Sequence, residues 1–267
     1  MRIKILVFAI SLLLSSTCSA RTPQTPSGAS NGPQRDPQAL SLIQVVLAAY
    51  GGSSAWSGIG EISASGNVTF HWADVDVAGT FILKANGASQ LRLDATVPNG
   101  NPIWVVNGGA GKFTDLAGMS HVISSSDAWS FASLLTPIKF LADAAADSRI
   151  GLKYTGLVDH GGKQLQEIEI RGHKTDAVPS LVLDFNRRIY IDPSTNQIQS
   201  VVDETWPHGG GAAKILHEIR YSNFQTVQGL TLPFSISDYV AGQNTFDLQV
   251  TQISATSSVT DSDFGVD

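Results

Sequence analysis

The spacing of apolar residues changes along the chain, and each change predicts a different element. Ala39, Leu42, Ile43, Val46, Leu47 and Tyr50 recur at i, i+3 and i+4 and form one stripe of an amphipathic helix. Asp36 can cap its free N–H groups, Pro37 suits the first helical position, and Gly51 and Gly52 stop it. From Ile59 the period becomes two. Phe81 and Leu83 lie opposite Lys84, and Leu91, Leu93 and Ala95 alternate with Arg92 and Asp94. An apolar helical stretch over 127–146 interrupts this rhythm with Trp129, Leu134, Leu135, Ile138, Phe140 and Leu141. Pro137 must kink or divide it, because proline lacks a backbone donor.

Strands then follow at short, regular intervals. Leu181, Leu183 and Phe185 alternate with Val182 and Asp184, and Ile215, Ile219 and Tyr221 with Leu216, Glu218 and Arg220. Leu230, Leu232, Phe234 and Ile236 show the same period, as do Phe246, Leu248 and Val250. Asp192-Pro193-Ser194-Thr195-Asn196 reads as a hairpin turn before a strand over 198–206. Pro233 suits an edge or a bulge rather than a central ladder position. Such alternation marks an antiparallel sheet with one wet face. The expected fold class is α+β: a large curved antiparallel sheet with a leading amphipathic helix and an inserted broken helix covering its apolar face.

The N-terminus reads as an address. Arg2 and Lys4 precede an apolar run over 5–14, too short for a bilayer span of roughly 20 residues, and Cys18-Ser19-Ala20 fits a cleavage site. The expected organisation is a signal peptide over 1–20, a flexible Pro/Ser/Gly-rich tether over 21–35 and one domain over 36–267. Export to the periplasm or the extracellular space follows. Lipidation of Cys18 would add outer-membrane association, although Ser15-Ser16-Thr17 departs from the usual lipidation signal. Cleavage after Ala20 leaves no cysteine, so neither a disulfide nor a thiol nucleophile is expected in the mature chain.

With 17 basic and 23 acidic side chains the chain carries a net charge of −6, which argues against nucleic-acid binding. The motifs that carry chemistry do not hold up. Gly28-Ala29-Ser30-Asn31-Gly32 matches G-x-S-x-G but lies in the tether, and His208-Gly209-Gly210-Gly211 follows it, whereas an esterase oxyanion loop precedes its serine. Gly108-Gly109-Ala110-Gly111-Lys112 lacks the first glycine and the Ser/Thr of a phosphate loop and reads as a hairpin turn. No pair among His71, His121, His160, His173, His208 and His217 has the spacing of a helical zinc site. His217 falls on an apolar face and reads as a core histidine bonded to a neighbour. The pairs Asp74/Asp76 and Asp261/Asp263 read as turn carboxylates, and Asp203 and Glu204 must point to opposite faces. The five tryptophans read as core or cavity wall. No catalytic residue, metal or cofactor is expected.

Ile189-Tyr190-Ile191-Asp192-Pro193-Ser194-Thr195-Asn196-Gln197-Ile198 resembles the strand–turn–strand hairpin of LolA-like (LolA/LppX) outer-membrane lipoprotein-sorting proteins. Glu218-Ile219-Arg220-Tyr221-Ser222-Asn223-Phe224, followed by Gly229-Leu230-Thr231-Leu232-Pro233-Phe234, resembles their next hairpin. The helix ending Ala48-Ala49-Tyr50-Gly51-Gly52 fits as well. The resemblance is to a distant member, since the 127–146 insertion is not typical of the compact carriers. It implies a half-barrel whose concave face holds acyl chains. The leading functional expectation is an exported, monomeric carrier of a hydrophobic small molecule or acyl chain. Its cavity wall would be Phe81, Leu83, Leu91, Leu93, Leu232, Phe234, Leu248 and Val250, and its lid Leu134, Leu135, Ile138, Phe140 and Leu141. Two alternatives stand beside it: a non-enzymatic envelope module that binds a protein partner, and a hydrolase, which would need a cleft joining Ser, His and Asp.

Overall fold

Tyr50 shows how the leading helix is tied to the sheet. Helix α1 (Pro37–Ala49) begins at Asp36, whose side chain accepts from the Gln38 amide at 2.8 Å, with Pro37 in the first turn. It buries Ala39, Ile43, Val46 and Leu47. At its end the buried Tyr50 hydroxyl accepts from the Ile198 amide at 3.0 Å, and the Tyr50 carbonyl accepts from Trp56 Nε1 at 2.9 Å. Burial pushes the Tyr50 phenol up from its ordinary value, so it stays neutral. The glycines do stop α1, but Gly52 also opens a short helix, α2 (Gly52–Ser57), that carries Trp56 into the core.

The computed structural model describes residues 33–72, 75–172, 186–205, 214–258 and 261–266. Signal peptide and cleavage site, Cys18, Ser30, the strand over 181–185, Asp74, His173, Trp206 and His208 lie outside the described residues. So does the expected tether apart from its last three residues. Of those, Gln34 accepts from the Leu152 amide at 2.9 Å, and Arg35 donates to the Ala144 and Ile150 carbonyls at 3.3 and 2.8 Å. No helix among the described residues is long and apolar enough to cross a membrane.

Thirteen strands form one antiparallel sheet. In chain order they are β1 (Glu61–Trp72), β2 (Val75–Asn86), β3 (Gln90–Thr96), β4 (Ile103–Asn107), β5 (Ala110–Thr114), β6 (Ser120–Val122), β7 (Ile150–His160), β8 (Lys163–Gly172), β9 (Asn186–Ile191), β10 (Ile198–Thr205), β11 (Ile215–Val227), β12 (Leu230–Val240) and β13 (Gln243–Thr256). Across the sheet they run β6-β5-β4-β3-β2-β1-β13-β12-β11-β10-β9-β8-β7, so β6 and β7 are the outer strands, and residues 34–36 bond the Leu152 backbone at the edge of β7. Among the described residues one hydrogen-bonded strand junction, β1 to β13, joins strands distant in sequence. The insertion over 127–146 is divided, as Pro137 required. Helix α3 (Ser125–Ala132) is capped by Ser124, and α4 (Pro137–Ala146) starts at the proline itself.

Turns and irregularities shape the sheet. The Asp192 side chain accepts from the Ser194 amide and its carbonyl from the Asn196 amide, both at 2.8 Å, while Asn196 takes a left-handed φ of 57°. Gly108 and Gly109, with φ of 58° and 90°, make the two-residue turn between β4 and β5. Pro233 belongs to an interior strand, yet the β12–β13 ladder starts only at Ser235↔Gln249, so the proline needs no donor toward β13. The β1–β13 register shifts between Ser65 and Gly66, and such a bulge bends the strand.

Curvature follows directly from contacts. Trp104 on β4 and Phe246 on β13 are four strands apart, about 19 Å in a flat sheet, yet their ring centroids are 6.5 Å apart. The product is an open half-barrel with α1, α3 and α4 against its apolar concave face. Gly66 permits the central close approach, since a Cβ there would lie 2.0 Å from the Gln249 carbonyl oxygen. Because backbone must then shift, Gly66→Ala is expected to cost about 1–3 kcal/mol, measured by urea unfolding.

Candidate functional site

Alternation along β1 sends Phe70 toward the concave face near the end of the strand, where it meets aromatic side chains from β4 and β13. Phe70 stacks on Trp72 at 5.0 Å and on Trp104 at 5.7 Å; Trp104 in turn stacks on Phe113 at 4.5 Å and on Phe131 of α3 at 5.9 Å. With Phe246 these six rings wall a cavity of about 420 Å³ at one end of the half-barrel. Phe70, Phe131 and Phe246 are buried, whereas Trp72, Trp104 and Phe113 are partly exposed.

The opposite wall is polar. Arg187 on β9, Asp203 on β10 and His217 on β11 occupy consecutive cross-strand positions, so one row of the sheet sets three charges side by side. Arg187 Nη2 donates to Asp203 Oδ2 at 3.0 Å. Asp203 also accepts the hydroxyl proton of Ser130 on α3 and bonds His217 Nδ1 at 3.0 Å. His217 Nε2 bonds Asp238 Oδ1 on β12 at 2.6 Å, and Thr245 of β13 donates to Asp238 Oδ2. Arg187 also reaches the inserted helical segment: Nη1 donates to Ser133 at 3.1 Å, and the guanidinium lies 4.2 Å from the Phe140 ring centre.

Charge state follows from these bonds. Burial disfavours the imidazolium, but Asp238 and Asp203 on either side outweigh it and push His217 up to about 10. Burial would likewise raise Asp203, but the Arg187 guanidinium and the bonds from His217 and Ser130 bring it down to about 2. His217 is therefore the core histidine its position on the apolar face predicted, with two carboxylate partners instead of one neighbour.

Ser130, Asp203 and His217 do come together, but not as a nucleophilic triad. Ser130 bonds the carboxylate rather than the imidazole, and both His217 nitrogens face carboxylates, leaving none to take a serine proton. The other described histidines also have carboxylate partners. His71 bridges Asp76 and Asp247 at 2.7 and 2.8 Å; His121 bonds Asp115 and His160 bonds Glu218, each at 2.8 Å. Asp263 pairs with Lys84 at 2.6 Å, and no cluster among the described residues could hold a metal ion.

The residues expected to form wall and lid are all buried. Phe81, Leu83, Leu91, Leu93, Leu232, Phe234, Leu248 and Val250 pack from the sheet against Leu134, Leu135, Ile138, Phe140 and Leu141 from the helices. None of them lines the aromatic cavity, which lies beside this packed layer. Arg187, Asp203, Asp238 and Ser130 were not anticipated. The legible signal was Asp238, which continues the inward register of Leu232, Phe234 and Ile236.

His217 has a folded value above its unfolded one, so its contribution is complete below 6.5 and is lost as pH rises toward about 10. Asp203 behaves oppositely, contributing above 3.8 and losing that contribution as pH falls toward about 2. Melting temperature is therefore expected to be highest between those two ordinary values and to decline on either side. His217→Gln leaves Asp203 and Asp238 without the charge between them and should destabilise by about 3–5 kcal/mol in urea unfolding.

No protein-family model matches the chain, and no curated protein matches it. Among solved structures, a DUF1329 family protein from Desulfovibrio piger aligns with a TM-score of 0.52 at 6% identity, covering 87% of this chain and 98% of that one. A LolA superfamily protein from Nitrosomonas europaea aligns with a TM-score of 0.49 at 10% identity, covering 84% and 97%. At 6% identity the likeness to the DUF1329 family protein is one of fold alone; the half-barrel with helices over its concave face, expected from the sequence, is present.

Proposed function

We propose that this chain is an exported, non-enzymatic carrier or binding protein for a lipid acyl chain or another apolar ligand, working in the cell envelope. The observation that carries the reading is the aromatic cavity of about 420 Å³. That volume falls within the roughly 300–1,000 Å³ typical of ligand pockets. Six rings meeting at a partly open cavity leave apolar surface for a ligand to cover. Burying about 300 Å² of ligand at about 25 cal/mol per Å² gives roughly 7 kcal/mol before the cost of association. The hairpins that resemble LolA-like lipoprotein-sorting proteins support the same reading.

The packed layer extends the site. A chain longer than the cavity would part α4 from the sheet, with Leu134, Leu135, Ile138, Phe140 and Leu141 moving as a lid away from Phe81, Leu83, Leu91, Leu93, Leu232, Phe234, Leu248 and Val250. The break at Pro137 lets α4 move without unwinding α3.

The protein, purified without detergent, extracted with organic solvent and analysed by mass spectrometry, should release about one acyl lipid per chain. Trp104→Ala should reduce that occupancy and weaken uptake of a neutral alkyl probe by about tenfold, or 1.4 kcal/mol. A folded protein that yields an empty extract and takes up no probe would overturn the carrier reading.

A further inference from the structure

The polar wall of the cavity has an unusual balance of donors and acceptors. Its donors are spent within the protein. Both His217 nitrogens face carboxylates, the Ser130 hydroxyl proton goes to Asp203, and the Thr245 hydroxyl proton goes to Asp238. What these groups still offer a ligand are lone pairs, on the Asp238 carboxylate and on the two hydroxyl oxygens.

Charge points the same way. Arg187, Asp203, His217 and Asp238 form two cations and two anions, so the network has no surplus positive charge to give an anionic head group. The charged residues lining the cavity are Asp127, His217 and Asp238, and no lysine or arginine lines it among the described residues. Phe70, Trp72, Trp104, Phe113, Phe131 and Phe246 line the rest of the cavity, and aromatic rings favour a cation over an anion wherever a ring face is reached. At the polar wall a carboxylate, sulfate or phosphate head would meet carboxylates and donors already bonded within the protein, and would lose hydration there without replacement.

We infer that the cavity selects an apolar ligand whose buried end is an ammonium group or another hydrogen-bond donor, with the Asp238 side as the acceptor and the aromatic cluster as the cation-favouring wall. This rests on the carrier reading above and specifies the chemical class of its ligand. The head lies against Asp238 and Thr245, and the hydrocarbon part lies along Phe70, Trp104 and Phe131. Asp238 and Thr245 act here as binding residues; Arg187 and Asp203 position them through His217.

The test compares three probes of one chain length, dodecylammonium, dodecanol and dodecanoate, each below its aggregation concentration at neutral pH. Binding is followed by tryptophan fluorescence and by calorimetry. Dodecylammonium is expected to bind at least about tenfold more tightly than dodecanoate, with dodecanol between them. Asp238→Asn should shrink that ratio, because losing the carboxylate charge weakens dodecylammonium binding more than dodecanol binding and leaves dodecanoate no weaker. Should Asp238→Asn fail to fold, the ranking on the unaltered protein decides the matter by itself. Equal binding of all three, or tighter binding of dodecanoate, would overturn the head-group inference and leave the carrier reading standing. Binding of none of the three would count against the carrier reading itself.

Discussion

The row Arg187–Asp203–His217, extended sideways to Asp238, is the constraint on which the rest of the molecule depends. Four ionised groups are buried in one patch of sheet, and each would be costly there alone. They are tolerable because every member is bonded to its neighbour across adjacent strands, so positive and negative charges balance within the patch. Register makes this possible. A slip of one residue in β9, β10 or β11 would turn a charge outward and strand its partner inside.

The same patch seats the helices. Ser130 in α3, Ser133 in the connection and Phe140 in α4 all meet Arg187 or Asp203. Hydrophobic burial supplies most of the attraction between helices and sheet, but it is non-directional. These polar contacts say where along the concave face the helices sit. Because they engage the inserted helices at one edge, the aromatic cavity lies beside α4 rather than beneath it. A half-barrel thus acquires two regions on one face, a close-packed layer under α4 and an aromatic hollow next to α3.

Much of the element list was legible. The helix over 36–50, the proline that divides the second helix, and the turn at Asp192 follow from chemistry local to a few residues: a capping carboxylate, a missing donor, an Asx turn. Period-two alternation identified strands and their inward sets correctly for Phe81, Leu83, Leu91, Leu93 and the residues of β12. Pro233 shows the limit of local reasoning. Its missing donor predicted an edge, and an edge exists, but only because the β12–β13 ladder begins two residues later inside an interior strand.

The candidate site was legible only in part. Alternation tells which residues face inward, and it did so for the thirteen residues expected as wall and lid. It does not tell which inward residues meet one another and which are left facing space. That distinction depends on how far the sheet curls, and curl is the sum of bulges, close approaches and strand twist over many residues. Phe70, Trp104, Phe113 and Phe246 come from four strands and meet only because of that sum. The charge row depends likewise on the register of four neighbouring strands: alternation turns His217 and Asp238 inward, but nothing local says that they meet Arg187 and Asp203. By itself the sequence determined the elements and their apolar faces, because capping, proline geometry and side-chain alternation act within a few residues. Tertiary structure alone decided where a packed interior ends and a cavity begins, because curvature and cross-strand register are properties of the whole sheet.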